Sequence, residues 1–123
     1  MTDFVKTQAL GNDFILVKKA AVPVSRFSKF TQAICHHNFG VGADGVIFWV
    51  QKGDTFDLRI FNRDGGEAEC SGNGLRCAAA YLMESGRWRQ SQIQLRTISG
   101  VYVLQRKGDQ YEAPLANDLL HQL

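Results

Sequence analysis

Short segments rich in apolar residues recur along this chain, and glycine, asparagine or aspartate separates them. That pattern is typical of β-strands joined by tight turns. Strands are predicted at residues 4–9, 14–19, 45–51, 56–61, 93–97 and 101–106, with a last short one at Tyr111. The turns between them fall at 11–13, 53–54 and 108–109. The pattern therefore predicts six or seven strands.

Two other segments follow the helical period of 3.6 residues. The first carries a stripe at the i, i+3, i+4 and i+7 positions of a surface helix, namely Phe27, Phe30, Thr31 and Ile34. Ser25 is its predicted N-cap, and Asn38 and Gly40 are its predicted end. The second, residues 75–83, is apolar on nearly every side and is expected to be buried all round, with Gly86 as its stop.

Strands that follow one another by short links around one apolar helix predict an α+β domain. In such a domain an antiparallel or mixed sheet, curved like a barrel, wraps the central helix. The length of 123 residues, with 45% hydrophobic and 21% charged residues, is ordinary for one globular domain. We expect residues 1–112 to form this domain and residues 113–123 to be a C-terminal tail.

Charge and hydropathy exclude several classes of partner. The formal charge of +2 is too small to indicate nucleic-acid binding. No apolar run reaches the roughly 20 residues that span a bilayer, and the N-terminus has no apolar signal region. The cysteines, Cys35, Cys70 and Cys77, form no CxxC pair and are expected to be free thiols. A cytoplasmic protein without membrane contacts is the expectation.

Two motifs that look functional are assigned to structure. Residues 40–45 spell GxGxxG, but a predicted helix precedes them and a strand follows, which reverses the order in a dinucleotide-binding fold. Adjacent helical residues point about 100° apart, so Cys35, His36 and His37 cannot converge on one metal ion. We therefore expect no metal site, interpret these three residues as surface polar groups at a helix end, and interpret Cys77 as a packing residue.

The strongest functional signal is the segment FNRDGGEAECSGNGLRC at residues 61–77. The predicted apolar helix begins at the run Ser71, Gly72, Asn73 and Gly74 of this segment. The unpaired N–H groups and the dipole at a helix start suit a bound carboxylate or phosphate. Cys70 and Ser71 lie beside that position and are the candidate reactive groups. Asn12, Asn62 and Asn73 lie in predicted turns, where asparagine either serves the local backbone or forms part of a polar substrate cradle. The spacing leaves both possibilities open.

Four ordered motifs carry a resemblance to a known family. They are ALGNDF at 9–14, GVGADG at 40–45, FNRDG at 61–65 and EAECSGNGLRC at 67–77. Together they resemble the N-terminal half of diaminopimelate epimerase, and the likeness covers residues 4 to about 107. The resemblance implies one lobe of the diaminopimelate epimerase-like fold, whose complete enzyme has a second, similar lobe.

The resemblance also implies an isomerase that epimerises an amino acid at Cα without pyridoxal phosphate or another cofactor. In that family one cysteine takes the α-proton and a cysteine of the other lobe returns one on the opposite face. By position the substrate contacts fall on Asn12, Asn62, Gly72, Asn73 and Gly74, with Asp44 and Gly45 near the cleft. In the family, the catalytic cysteine directly precedes Gly-Asn-Gly. This chain has a different residue at that position.

Ser71 occupies the position of that catalytic cysteine, and Cys70 stands one place earlier. Both are candidate acid–base groups, although a thiol is a better base than a hydroxyl without a neighbouring base. Three interpretations follow. The chain is one lobe of an epimerase of lysine and cell-wall precursor metabolism, which self-associates or pairs with a second lobe to cover its apolar surface. Alternatively, it is a non-catalytic module that binds an amino acid or a protein partner, or a truncated piece of a longer epimerase.

Overall fold

The computed structural model describes residues 4–9, 11–36, 40, 42–69 and 71–112. Within them the strands are β1 (Phe4–Ala9), β2 (Asn12–Lys18), β3 (Gly45–Lys52), β4 (Thr55–Asn62), β5 (Glu67–Ala68), β6 (Gln92–Thr97), β7 (Gly100–Lys107) and β8 (Gln110–Glu112). The helices are α1 (Phe27–Cys35), α2 (Gly72–Glu84) and two 3₁₀ turns, Lys19–Ala21 and Val24–Arg26. His37, Asn38, Cys70 and the predicted tail 113–123 lie outside the described residues.

The strands form one mixed sheet in the order β1-β2-β3-β4-β6-β7-β8, and β5 pairs with β4. β2 pairs with β3 and β4 with β6 in parallel, while the other neighbours are antiparallel. α2 packs against both β1 and β8, the outermost strands. In a flat sheet, six spacings of about 4.8 Å would separate those strands by roughly 29 Å, whereas a helix is about 10 Å wide. The sheet therefore curves around α2, and the predicted α+β fold is confirmed.

The inner face of the sheet and α2 form the larger core. Its helical members include Leu75, Cys77, Ala78, Ala79 and Leu82, and its sheet members include Phe14, Leu16, Ile47, Trp49, Phe56, Leu58, Ile60, Ile93, Leu95 and Leu104. The prediction of a helix buried all round is wrong along one stripe, because Asn73, Arg76 and Ala80 are only half-buried. That stripe begins at the residues proposed to bind substrate.

The outer face of the sheet is covered by α1, which forms a second core. The Phe27 ring of α1 stacks on Phe48 of β3 with centroids 3.8 Å apart, and Phe61 of β4 meets both rings edge-on. β3 is therefore covered by α2 on one face and by α1 on the other. This explains why residues 45–49 are buried in succession, without the alternation of a half-exposed strand.

Several details differ from the sequence-based expectation, including β2, which begins at Asn12 and ends at Lys18 rather than spanning 14–19. Ser25 is not the N-cap of α1, because it lies inside the 3₁₀ turn Val24–Arg26, and Arg26 takes the N-cap position of α1 without a side-chain hydrogen bond. α1 ends at Cys35, where His36 becomes extended, and so it stops before the predicted Asn38. β5 was not predicted, because a strand of two residues leaves no alternating pattern. None of the described helices is long and apolar enough to cross a bilayer.

Candidate functional site

Four segments meet at one end of the sheet. β2 and β3 run parallel and both begin here, with Phe14 opposite Gly45. β4 runs the other way and ends here, because Asn62 pairs with Gly45. α2 begins at the same end, where Asn73 hydrogen-bonds to Asn12. The topology thus brings together most of the residues that the sequence pointed to.

Ser71 organises the beginning of α2. Its backbone is extended, and its Oγ accepts a hydrogen bond from the N–H of Gly74 at 3.1 Å, which is the geometry of an N-cap. Its carbonyl accepts from the N–H of Leu75 at 2.8 Å. The N–H groups of Gly72 and Asn73 have no partner within the helix, since the first turn cannot supply one. Two donors at the positive end of the helix dipole are thus left to face an anion.

A chain of polar side chains runs across the site. Arg76 Nη1 donates to Asn73 Oδ1 at 3.3 Å, and Asn73 Nδ2 donates to Asn12 Oδ1 at 2.5 Å. Asn12 Nδ2 then donates to Asp44 Oδ2 at 3.4 Å. A cation at one end and a carboxylate at the other fix which way each amide faces, because only one orientation lets every donor meet an acceptor. Asn12 lies in β2 and Asn73 in α2 rather than in the predicted turns, and their side chains bond to each other rather than only to the local backbone.

Asp44 and Gly45 join the strands of the site. Asp44 Oδ2 also accepts from the Asp13 N–H at 2.8 Å, and the Asp44 N–H donates to the Asp13 carbonyl at 2.9 Å. A Cβ at Gly45 would lie 2.5 Å from the Phe61 carbonyl oxygen and 3.1 Å from the Phe14 ring. Gly45 is thus required by close packing of three strands, which leaves no space for a side chain.

Asn62 lies beside this polar chain without joining it. It is exposed, and no described residue hydrogen-bonds to its side chain. Its amide is therefore available to a ligand, in contrast to those of Asn12 and Asn73. Gly72 is exposed as well, whereas Gly74 is buried and packs 3.5 Å from Ile47 at the position a Cβ would take. Of the predicted site residues, Cys70 is the one outside the described part of the chain.

The two described cysteines are buried free thiols. Burial raises the pKa of Cys77, opposed by a hydrogen bond with Thr7, and its predicted packing role agrees with its place in the inner core. The interpretation of Cys35 as a surface group is wrong, because α1 turns it into the outer core, whereas the adjacent His36 is exposed. Burial and the nearby Asp44 carboxylate raise the pKa of Cys35 to about 11. The described residues contain no cluster of metal-ligand side chains.

This chain is similar to known proteins in sequence and in fold. The family model described as diaminopimelate epimerase matches residues 4–115. The chain belongs to the diaminopimelate epimerase family. The diaminopimelate epimerase of Synechococcus sp. strain JA-2-3B'a(2-13) is 46% identical over 110 residues, which are 86% of this chain and 39% of that enzyme. The enzyme of Halothermothrix orenii is 40% identical over 101 residues, 80% of this chain and 36% of that enzyme.

This member of the diaminopimelate epimerase family thus spans about two fifths of the length of these relatives. Solved structures share the fold at low sequence identity. A phenazine biosynthesis PhzC/PhzF protein of Clostridium difficile superposes with a TM-score of 0.73 at 18% identity, covering 92% of this chain and 43% of that one. A hydroxyproline epimerase of Agrobacterium vitis superposes with a TM-score of 0.66 at 14% identity, covering 89% of this chain and 39% of that one. These similarities support the fold.

Arg76 is the site residue that the sequence reasoning missed. It lies three residues after Asn73 on α2, a spacing that places two side chains on the same helical face. That spacing was readable from the sequence, but it acquires meaning only when Asn73 is known to point into the site. The positive charge of Arg76 lies close to the N–H groups at the helix start, with Nη1 3.5 Å from the position of a Cβ on Gly72. It adds to the attraction for an anion there.

Proposed function

We propose that this chain is one lobe of a cofactor-independent amino-acid epimerase, and that it supplies half of the cleft that binds a diaminopimelate-like substrate. The observation that carries the proposal is the start of α2, where the N–H groups of Gly72 and Asn73 stay unpaired within the helix beside Asn12 and Asn62. Residues 1–112 constitute the lobe, with 113–123 as a tail. Membership of the diaminopimelate epimerase family supports the choice of substrate class.

The substrate carboxylate would bind at these N–H groups. When a base removes the Cα proton, the electron pair left behind spreads into the carboxylate, whose negative charge then increases. Donors that are already aligned stabilise this charge without reorganising, which is the largest single contribution in many enzymes. Arg76 adds a positive charge on the same side. Because such an arrangement stabilises the carbanion directly, the proposal requires no metal or pyridoxal phosphate.

Ser71 and Cys70 are the proposed acid–base groups of this lobe. The Ser71 Oγ accepts from the Gly74 N–H and keeps its own proton available for donation, so it is suited to return a proton to Cα. It is a weak base, because nothing in the described site removes its proton. The opposite face of Cα needs a second acid–base group. We propose that a second lobe, or another copy of this chain, brings that group to the half-buried stripe of α2.

The same proposal assigns the chain to lysine and cell-wall precursor metabolism in the cytoplasm. A reducing compartment agrees with the free thiols of Cys35 and Cys77. The partner expected is a small amino acid, with no nucleic acid or membrane involved.

A second candidate function is amino-acid binding without catalysis. The specific observation that favours it is the capping role of Ser71, whose oxygen already accepts the Gly74 N–H. A serine at an N-cap stabilises a helix whether or not it takes part in chemistry. On this interpretation the chain keeps the anion site and the amides of Asn12, Asn62 and Asn73 but transfers no proton.

Two measurements on the intact chain separate these functions. Addition of diaminopimelate should shift the backbone amide signals of Gly72 and Asn73 in a ¹⁵N NMR spectrum, while that of Gly86, at the other end of α2, stays in place. Unchanged signals at Gly72 and Asn73 would contradict both functions. Deuterium incorporation at Cα in heavy water, measured with a second lobe supplied, then decides between them, since binding without incorporation under that condition leaves only the non-catalytic function.

A Ser71→Cys variant tests the acid–base role. It restores the thiol that the family has directly before Gly-Asn-Gly, and a thiol at a helix start is readily deprotonated. Once a second lobe is supplied, we expect faster deuterium incorporation than in the unaltered chain. The matched control is Ser85→Cys, which places the same thiol at the C-cap of the same helix and should leave incorporation unchanged. Equal rates in the two variants would argue against position 71 as the acid–base site.

A further inference from the structure

The turn that carries Asn62 is held in a defined shape by its own backbone. The Asn62 N–H donates to the Gly66 carbonyl at 2.8 Å, and the Gly65 N–H donates to the Asn62 carbonyl at 2.8 Å. The Asn62 side chain is exposed and has no hydrogen-bond partner among the described residues. The direction of its amide therefore depends on the shape of the turn rather than on a neighbouring side chain.

Helix α1 holds this turn from the outer side of the sheet. Ser28 Oγ donates to the Gly65 carbonyl at 2.8 Å, and Gln32 Nε2 donates to the Asp64 carbonyl at 2.7 Å. Ser28 and Gln32 are four residues apart, so both lie on the same face of α1. The adjacent stripe of α1, which includes Phe27 and Thr31, is buried in the outer core. The helix that supplies these two donors is thus itself anchored.

The contact between α1 and the turn is too close for a side chain at Gly65. A Cβ there would lie 2.6 Å from Ser28 Oγ and 2.9 Å from Gln32 Nε2. Gly65 also has a φ of +92°, a conformation that suits glycine. On the other side of the turn, the Arg63 N–H donates to the Asp44 carbonyl at 3.0 Å. The turn is therefore fixed from two sides, by α1 and by the residue before β3.

We propose that Ser28 and Gln32 are positioning residues that set the direction of the Asn62 amide in the substrate cleft. They touch no substrate themselves and act through the carbonyls of Asp64 and Gly65. The consequence for substrate affinity rests on the proposed function, in which Asn62 binds the amino acid. The effect on Asn62 itself does not, because it follows from the contacts of the turn alone.

A double variant, Ser28→Ala with Gln32→Glu, tests the inference. It removes the hydroxyl donor and replaces the amide donor by a carboxylate of the same size, which repels the Asp64 carbonyl. We expect hydrogen exchange of the Gly65 N–H to become at least about tenfold faster, since two hydrogen bonds are lost and one alone is worth up to roughly that factor. The carboxamide NMR signals of Asn62 should shift, while those of Asn73 stay in place. The affinity for diaminopimelate should fall severalfold.

Two further variants keep the test interpretable. Ser25→Ala makes the same chemical change in the preceding 3₁₀ turn, where the serine is exposed, and should alter none of these signals. Ser28→Thr keeps a hydroxyl and should retain the Gly65 protection and the Asn62 signals of the unaltered chain. Retention in this variant, with loss in the double variant, shows that the hydrogen bonds matter rather than general stability.

Each outcome bears on a different statement. Unchanged Gly65 exchange and Asn62 signals in the double variant would overturn the inference. Shifted Asn62 signals with unchanged diaminopimelate affinity would overturn the part that concerns the cleft. If the unaltered chain binds no diaminopimelate at all, the proposed function fails, and the exchange and Asn62 signals still decide whether Ser28 and Gln32 position this amide.

Discussion

Glu67→Gln probes how the segment leading to α2 is held against the sheet. The Glu67 carboxylate of β5 accepts two hydrogen bonds from Arg59 of β4, at 2.9 Å from Nε and 2.7 Å from Nη2. The same guanidinium lies 5.4 Å from the ring centroids of both Phe27 and Phe61. The Arg59 and Glu67 side chains are 31% and 23% exposed. The pair is therefore bidentate and largely withdrawn from water.

The expected magnitude follows from that partial burial. Exposed ion pairs contribute at most about 1 kcal/mol, whereas breaking a fully buried pair costs about 3–5 kcal/mol. Glutamine keeps the size of Glu67 and one good acceptor, so some of the interaction with Arg59 survives. We expect Glu67→Gln to lower the free energy of unfolding at neutral pH by about 1.5 kcal/mol, which is the lower end for a hydrogen bond to a charged group.

The effect should depend on pH in a defined direction. The hydrogen bonds from Arg59 lower the pKa of Glu67 in the folded state. A carboxyl group whose pKa is lowered by folding contributes its full stabilisation above the ordinary glutamate pKa of about 4.3 and loses it as the pH falls toward the folded-state pKa. The difference in the free energy of unfolding between the unaltered chain and Glu67→Gln should therefore be largest at neutral pH and shrink below about pH 4.3.

Urea unfolding followed by circular dichroism, repeated from neutral to acid pH, measures this difference. The control is Glu112→Gln, which neutralises the partner of Lys107 in an exposed pair 3.3 Å apart, with side chains 49% and 61% exposed. We expect that control to change the free energy of unfolding by less than about 0.5 kcal/mol. Equal losses in the two variants, or a Glu67→Gln difference that persists unchanged in acid, would refute the reasoning.

Three other outcomes are expected. Phe48→Ala removes a fully buried ring that stacks on Phe27 at 3.8 Å, and it should lower the free energy of unfolding by about 3–5 kcal/mol in urea. Burial and a 2.7 Å hydrogen bond to Glu84 raise the pKa of Tyr111 to about 12. Since an unfolded tyrosine ionises near pH 10, the free energy of unfolding should fall above that pH. Ultraviolet titration should show one phenol that ionises later than the others, and Tyr111→Phe should remove it. Iodoacetamide at about pH 8 should leave Cys35 unmodified until the chain unfolds, because burial raises the pKa of its thiol to about 11; peptide mass spectrometry with and without urea measures this.

Much of the fold was readable because local patterns determine it. In β4 and β6 apolar and polar residues alternate, and α2 has a run of apolar residues. In the structure the apolar residues of these elements are the buried ones. The turns predicted at 53–54 and 108–109 are confirmed, since Gly53 and Gly108 have positive φ values that few other residues adopt. The turn predicted at 11–13 is wrong at Asn12 and Asp13, because both belong to β2. Local chemistry of this kind survives in any tertiary context that leaves the turn at the surface.

Long-range features could not be read in the same way. The continuous burial of β3 requires a helix on each face, and the sequence does not say that α1 and α2 lie on opposite sides of the sheet. The burial of Cys35 is a consequence of the same arrangement, so its interpretation as a surface group failed. The polar chain through Asn12, Asn73 and Arg76 joins residues up to 61 positions apart in sequence. The sequence pointed to Asn12, Asn73 and Asp44 as site residues, but it revealed neither Arg76 nor the contacts among the four.

On the proposed function, the arrangement of the site explains how one lobe can hold half of a cleft in a preorganised form. Gly45 begins a strand that is covered on both faces and pairs with β2 and β4, so this position cannot shift without disturbing both cores. Asn73 is held by α2 on the inner face of the sheet, and the turn that carries Asn62 is held by α1 on the outer face. On the proposed function, the second lobe needs to bring only the opposing acid–base group and exclude water, because the donors on this side already have their final positions.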